Sequence, residues 1–268
     1  MMITDFTFKE VKKYLPKKKI DSNKYDSGQL LLIGGDNEYP GAIILAAQMA
    51  IKSGVGLLYL YTKSQNVIKV LSEYPEIIVF DDKNRLVELV SKEIPVLAGP
   101  GTKDNEWTED IFSLIKDKPL SIILDAAYIE KIKLDNSFKT KILLPHEGEA
   151  ARLLGVQSSE VKDNRLDSIK SINDKYDSIV VLKGYRTLIS DGKNIYRCLD
   201  GGSKLSTAGT GDVLAGLISS LLAQGIKPMD SCKLGVAIHG YCAEKSNFKS
   251  GLIPSELINL IRDRINQL

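Results

Sequence analysis

Short apolar runs alternate along this chain with stretches in which apolar residues recur one helical turn apart. The runs at residues 30–33, 57–61, 77–80, 96–98, 121–124, 141–144 and 178–182 read as buried strands, being continuous and bounded by turn residues. Between them, helical periodicity predicts helices at residues 41–53, near 65–72 and 85–92, at 105–116, up to about 154, and at 163–175. In the first of these, Ile44, Leu45, Ala47, Ala50 and Ile51 form the inward face and Gly54 is the C-terminal cap. Strand–helix–strand order calls for a parallel sheet with right-handed crossovers. Residues 186–190 and 194–199 flank Asp191-Gly192, a hairpin signal. Helices starting near Gly211, at 229–246 and at 254–266 fill the remainder, and residues 1–28 predict a short helix with an irregular approach. No composition break, low-complexity stretch or repeat interrupts the pattern, so one three-layer α/β domain over residues 1–268 is expected.

Strand after strand ends in a small or chemically active residue: Gly34-Gly35, Gly99-Pro100-Gly101, Asp125, Pro145-His146 and Lys183-Gly184. In an open parallel sheet the carboxyl ends of the strands line the ligand crevice, so these residues should meet along one edge.

The stretch at residues 205–224 carries the densest chemistry. Its first half is small, polar and glycine-bearing, and its second half is helical, with Val213, Leu214, Leu217, Ile218, Leu221 and Leu222 one turn apart. A flexible turn feeding a helix presents unpaired amides and the positive end of the helix dipole, a site for an anion such as a phosphate. Asp212 falls in the first helical turn, where the dipole should keep its carboxylate ionised, although an acid there also simply stabilises a helix.

Composition narrows the field. The chain has 268 residues, 43% hydrophobic and 26% charged, and 36 Lys plus Arg against 34 Asp plus Glu leave a formal charge of +2. That balance points to neither nucleic acid nor a membrane as partner, and Lys17-Lys18-Lys19 reads as a solvated tail. Cys198, Cys232 and Cys242 cannot all pair and lack CxxC spacing, which suggests a reducing compartment without a disulfide framework or zinc site. The N-terminus has no hydrophobic signal core and no apolar run would span a bilayer, so the cytoplasm is expected. His239 lies in an apolar helix segment and reads as a packed helix residue.

Taken together, Ile33-Gly34-Gly35, Tyr39-Pro40-Gly41-Ala42, Gly99-Pro100-Gly101, Asp125-Ala126, Pro145-His146-Glu147-Gly148-Glu149, Leu182-Lys183-Gly184 and the segment 207–216 resemble the ADP/ATP-dependent NAD(P)H-hydrate dehydratases. These are a carbohydrate-kinase-related branch of the ribokinase-like superfamily. The segments occur in the family's order and span nearly the whole chain. The resemblance implies a ribokinase-like fold, with a central, mostly parallel sheet flanked by helices. It also implies a repair reaction, in which the S-epimer of NADHX or NADPHX is dehydrated to NADH or NADPH. ADP (giving AMP and phosphate) or ATP is consumed, with Mg2+, through a phosphorylated intermediate. By resemblance Asp212 is the catalytic base, and the amides of Ala208, Gly209, Thr210 and Gly211 form the anion hole. Lys183, Gly184, Tyr185, Arg186, Thr187 and Gly211 bind the nucleotide. Ala42, Gly101, His146 and Asp212 contact the hydrated cofactor, and Glu149 organises Mg2+ through water, although helix capping accounts for Glu149 equally well. The family also implies a homo-oligomer, with a tetramer expected. ADP is the nucleotide favoured by the habit of single-domain members.

The chain departs from the family pattern in places. Asp36 stands where Ser is usual, Ala127 where a second acid is usual, and Asn23 where His is typical. Gly202-Ser203-Lys204-Leu205 replaces an Asn-Pro-Gly-Met segment, and Ala208-Gly209 a Gly-Gly pair. Two alternatives share much of the apparatus: a thiazole- or pyrimidine-alcohol kinase using the same Asp212, and a catalytically idle nucleotide-binding protein. A fused epimerase domain is not expected.

Overall fold

The apolar runs pair into one ten-stranded sheet in the computed structural model, which describes residues 3–17, 20–132 and 136–267. Lys18 and Lys19 of the lysine run lie outside the described residues. In chain order the first elements are β1 (Ile3–Phe6), α1 (Phe8–Val11), β2 (Gln29–Ile33), α2 (Pro40–Lys52), β3 (Leu57–Tyr61), α3 (Ser64–Glu73) and β4 (Ile78–Phe80). Then come α4 (Lys83–Val90), β5 (Val96–Ala98), α5 (Glu106–Ile115), β6 (Ser121–Leu124), β7 (Thr140–Leu143), α6 (Glu147–Leu154), α7 (Ser158–Asp163) and α8 (Arg165–Tyr176). The last are β8 (Ile179–Leu182), β9 (Leu188–Ser190), β10 (Ile195–Cys198), α9 (Thr210–Ala223), α10 (Pro228–Lys245) and α11 (Pro254–Asn266).

The strand order is β1-β10-β9-β8-β7-β6-β5-β2-β3-β4, and only β9 runs antiparallel to its neighbours. From β2 the chain winds outward to β3 and β4, then returns on the other side of β2 as β5. The switch point of this α/β sheet therefore lies between β2 and β5, where a ligand crevice opens at the carboxyl ends of the strands. Two apolar layers cover the sheet. Leu30 and Leu32 face one core with α2, α9, α10 and α11, while Leu31 and Ile33 face the other with α4, α5 and α8. Cys198, Cys232 and Cys242 are buried free thiols.

Helix boundaries follow local chemistry. Pro40, Pro228 and Pro254 open α2, α10 and α11, where a missing N–H costs nothing. The Asn105 side chain accepts from the Thr108 amide at 3.1 Å and caps α5. Three points differ from expectation. Residues 3–6 form β1, a parallel edge partner of β10; in this strand Phe6 alone is buried, so its pattern carries almost no period. The helix expected at 163–175 stands as α8 (Arg165–Tyr176), and a short helix that the periodicity does not mark, α7 (Ser158–Asp163), precedes it across Asn164, whose backbone (φ −126°, ψ 46°) is not helical. The buried face of α2 is Ile43, Ala46, Ala47, Met49 and Ala50, with Ile44, Leu45 and Ile51 only half-buried. This rotation follows from α9, which lies directly against α2. A Cβ on Gly216 would clash with the Ala46 carbonyl, and the Ser220 hydroxyl donates to the Ala50 carbonyl at 3.0 Å. For the same reason α9 is buried almost all round rather than on one stripe.

Because Gly216 sets the α2–α9 distance, Gly216→Ala is expected to lower unfolding stability by about 1–3 kcal/mol, the usual range for overpacking. Urea titration followed by circular dichroism measures it, and an unchanged midpoint would refute the close-approach argument.

Candidate functional site

Strand β8 ends at Leu182 and delivers Lys183 to the carboxyl edge of the sheet, where its amide donates to the Pro145 carbonyl at 2.8 Å. The Lys183 ammonium lies 2.8 Å from Asp125 Oδ1 and 3.8 Å from Glu149 Oε2. Burial alone would push this lysine's pKa down, yet Asp125 and Glu149, with Asp212 beyond them, hold it above its usual value. Three strand or helix ends thus converge on one charge: Asp125 follows β6, Glu149 opens α6, and Asp212 opens α9.

Asp212 is the perturbed member. Burial and the neighbouring Asp125 charge raise its pKa to about 7, against the opposing pull of Lys183. A helix N-terminus favours an ionised carboxylate, but desolvation outweighs the helix end here. Just before it, Gly209 is the N-cap of α9 at φ 95°, a left-handed conformation that favours glycine, and a Cβ there would press on Leu45 at 2.7 Å. Among the described residues no acceptor is paired with the amides of Ala208, Gly209 or Gly211. Thr210 differs: its amide donates to the Thr207 carbonyl at 3.3 Å, and its hydroxyl lies 2.9 Å from both the Leu205 and Thr207 carbonyls. The turn therefore offers three of the four expected amides. His239 is buried, as its apolar segment predicted, but it also supports this turn. Its Nε2 lies 3.0 Å from the Thr210 carbonyl, so that nitrogen carries the proton and donates, and burial pushes its pKa down to about 4.

His146 is the N-cap of α6, and its Nδ1 accepts from the Gly148 and Glu149 amides at 2.9 and 3.3 Å. The Glu149 carboxylate reciprocates by accepting from the His146 amide at 2.7 Å. Glu149 is thus a capping residue and a neighbour of Lys183 at once, and burial raises its pKa. Among the described residues no cluster of three or more acids, histidines or cysteines could hold a metal. A hydrated Mg2+ still fits this donor set, because it keeps most of its waters and arrives on nucleotide phosphates, needing one or two carboxylates at most. Asp125 and Glu149 are the two that border the site.

A cavity of about 370 Å³ opens beside Lys183. Its walls are residues 183–187 and 200–203 with Thr210 and Gly211, and its apolar floor includes Leu205, Leu214 and Val236. Every residue expected in the nucleotide set lines it. Arg165 braces one wall: its guanidinium donates to the Leu182 carbonyl at 2.9 Å and pairs with Glu147 at 2.6 Å, crowding Gly184. No local signal singled out Arg165. The divergent segment at 202–205 forms the opposite wall as a single 3-10 turn, Ser203–Leu205. Lys204 fastens it by donating to the Glu244 and Ser246 carbonyls at 3.1 and 2.9 Å, at the C-terminal end of α10.

Ala42 and Gly101 lie on another flank. A Cβ on Gly101 would be 3.1 Å from that of Ala42, at the start of α2, three residues before the Leu45 that touches Gly209. His146 lines neither group and joins the site through Glu149, with an exposed ring. Asp36 has a defined role: its buried carboxylate is 2.7 Å from Lys63 Nζ and also accepts from the Asn37 amide at 2.7 Å and from the Asn105 amide group. Lys63 and these two donors outweigh the burial penalty and hold its pKa below the usual value. Ala127 lies in the 3-10 segment Ala126–Lys131, whose N-cap is Asp125.

Residues 30–265 match the family model described as NAD(P)H-hydrate dehydratase. A bifunctional NAD(P)H-hydrate repair enzyme of Vibrio cholerae is 35% identical over 258 residues, which are 94% of this chain and 52% of that protein. The chain thus spans about half the length of this relative. An ADP-dependent (S)-NAD(P)H-hydrate dehydratase of Neisseria meningitidis is 32% identical over 92% of this chain and 89% of its own length. Among solved structures, an ADP/ATP-dependent NAD(P)H-hydrate dehydratase of Bacillus subtilis, co-crystallised with ATP and Mg2+, superposes with a TM-score of 0.89. It is 26% identical, and the match covers 100% of this chain and 99% of that one.

The raised pKa of Asp212 is also a statement about stability. An acid whose folded pKa exceeds its unfolded value favours folding at low pH and loses that contribution as pH rises through the folded pKa. Asp212→Asn, which carries no charge, should therefore gain stability over the parent between about pH 4 and pH 7 and keep the gain above, by about 2–4 kcal/mol. Urea unfolding of both proteins at pH 5 and pH 8 reads the difference. A gap that does not widen with pH would show that the carboxylate is not held neutral in the fold.

Proposed function

The chain belongs to the NAD(P)H-hydrate dehydratase family, and on that premise we propose that it repairs hydrated nicotinamide cofactor. It takes the S-epimer of NADHX or NADPHX, phosphorylates the ring hydroxyl at the expense of ADP, and eliminates phosphate to restore the dihydronicotinamide. Hydroxide is a poor leaving group and phosphate a good one, which is why a dehydration consumes a nucleotide.

The observation that carries this reading is Asp212: a buried carboxylate raised to about 7, beside the glycine-rich turn and the Lys183 cavity. A base with this pKa is well matched to neutral pH. It removes the hydroxyl proton as the oxygen attacks the terminal phosphorus of the nucleotide. The amides of Ala208, Gly209 and Gly211 then face the charge that builds on the transferred phosphoryl group, as preorganised donors do. Lys183 stands beside the same phosphates, and residues 184–187 with Gly211 hold the rest of the nucleotide. Mg2+ bound to those phosphates would neutralise part of their charge, with Asp125 and Glu149 as the bordering carboxylates. Ala42, Gly101 and His146 take the hydrated cofactor on the other side of Asp212. Proton transfer and phosphoryl transfer are thus assigned to groups on the same helix end.

The whole chain works as one domain in this reading, supported by the continuity of its sheet from β1 to β4. Its setting is the cytoplasm, supported by three buried free thiols. No described helix is long and apolar enough to cross a membrane. A homotetramer is the assembly we favour, supported by the exposed apolar side chains Ile68 and Leu71 on α3.

The test mixes purified protein with ADP and the S-epimer of NADHX and follows the return of dihydronicotinamide absorbance in the near ultraviolet. Asp212→Asn should lower the rate by about 10²–10⁴, the range of a positioned general base, while nucleotide binding persists. In the parent, the rate at low substrate should climb with pH and level off above about 7, as Asp212 loses its proton. Absence of any absorbance recovery by the parent would sink the dehydratase reading, and a fully active Asp212→Asn would sink the assigned base.

A further inference from the structure

A second hollow, of about 300 Å³, opens at the carboxyl ends of β2 and β3. It is lined by Asn37, Tyr61, Lys63, Gln65, Asp81 and Trp107. Its wall is aromatic: the Trp107 indole stacks on Tyr61 with centroids 6.1 Å apart and planes 7° from parallel, and the Lys63 ammonium lies 5.3 Å from the indole centre. Its lining residue Asn37 follows Asp36, whose amide donates to the Gly101 carbonyl at 2.7 Å, so the hollow adjoins the loop that is tied to Gly101.

A dinucleotide with its hydrated ring against Asp212 and its middle across Ala42 and Gly101 must place its second nucleoside further along this edge, beyond β5. The aromatic hollow is next in that direction, and a flat purine is the chemistry an indole wall accepts. Its charge is unusual for a nucleotide site. Lys63, the one lysine that lines it, is spent on Asp36 at 2.7 Å. Asp81 adds a further lining carboxylate. A ribose hydroxyl is at home in such a rim, whereas a 2′-phosphate with about two negative charges meets the Asp81 carboxylate while the one lining lysine is already paired. We infer that this hollow holds the adenosine half of the hydrated dinucleotide, and that Asp36, by neutralising Lys63, selects NADHX over NADPHX. This inference rests on the dehydratase reading and adds the identity of the preferred substrate.

Trp107 is the single tryptophan of the chain, so its emission reports on this hollow without any turnover. The probes are ADP-ribose and its 2′-phosphorylated form, added with the Lys183 cavity already filled by a non-hydrolysable ATP analogue. ADP-ribose should quench the emission and bind about tenfold or more tightly than the 2′-phosphate form, a factor corresponding to about 1.4 kcal/mol. Asp36→Asn should tighten the 2′-phosphate form and bring the ratio towards one. Lys63→Gln, which leaves Asp36 in place and guards against a folding defect in the first variant, should widen it. Failure of ADP-ribose to quench, equal affinities in the parent, or ratios that neither variant moves would overturn the inference. Turnover of NADHX without quenching would remove this inference alone, and quenching without turnover would remove the dehydratase reading alone.

Discussion

One buried ammonium, that of Lys183, sets the terms for everything around it. It lies within 4 Å of Asp125 and Glu149 and pulls the pKa values of Glu149 and Asp212 down, whereas the Asp125 charge pushes both up. Asp125, Glu149 and Asp212 hang from three different elements, so this one cation draws the ends of β6, β8, α6 and α9 towards a common point. A buried charge left without a partner is far more costly than a paired one, which makes the arrangement hard to relax. Its consequence is chemical as well as architectural. In a desolvated site each ionised acid makes the next harder to ionise, and Asp212 is pushed up by burial and by the Asp125 charge. Asp125 makes the short contact with Lys183, at 2.8 Å, and a pKa of about 7 leaves Asp212 ready to trade its proton near neutral pH.

The turn ahead of Asp212 is rigid for a separate reason. Gly209 is pressed between α2 and α11, Thr210 ties its side chain and amide back to residues 205 and 207, and His239 grips the Thr210 carbonyl from α10. Donors aimed at an anion are effective when they need no reorganisation, and this turn is held on three sides. The close contact of α2 and α9 through Gly216 carries the same rigidity to the flank with Ala42. Lys204 does the equivalent on the outer wall of the cavity beside Lys183, where a basic side chain caps α10. The segment that departs most from family pattern is thus still anchored, by chemistry of its own.

Much of this was legible along the chain. Continuous apolar runs located the central strands, because a strand buried on both faces needs no polar alternation. Glycines, prolines and acids clustered at strand ends pointed to one edge of the sheet, and the glycine-rich turn before an apolar helix pointed to an anion site. Other features left no local trace. Strand β1 gains its place from pairing with β10 at the sheet edge, not from its own pattern. Helix α7 lies in a mostly polar stretch whose one buried residue is Val161, too little to make a period. Arg165 looks like any exposed helix residue until its guanidinium is seen against the Leu182 carbonyl and Glu147.

Periodicity and turn chemistry are properties of neighbouring residues, so the strands, most helices, the phosphate-type turn and the family likeness could be read without coordinates. Ionisation and pairing are properties of the surroundings. The dipole rule made Asp212 an anion; its burial and the nearness of Asp125, contributed by a strand more than eighty residues earlier, made it a group that titrates near neutral pH. Asp36 likewise reads as a loop acid until Lys63 and Asn105 close on it. Local spacing encodes which groups are present and on which element, but desolvation and charge coupling act through space, and only the folded packing of distant segments sets their size.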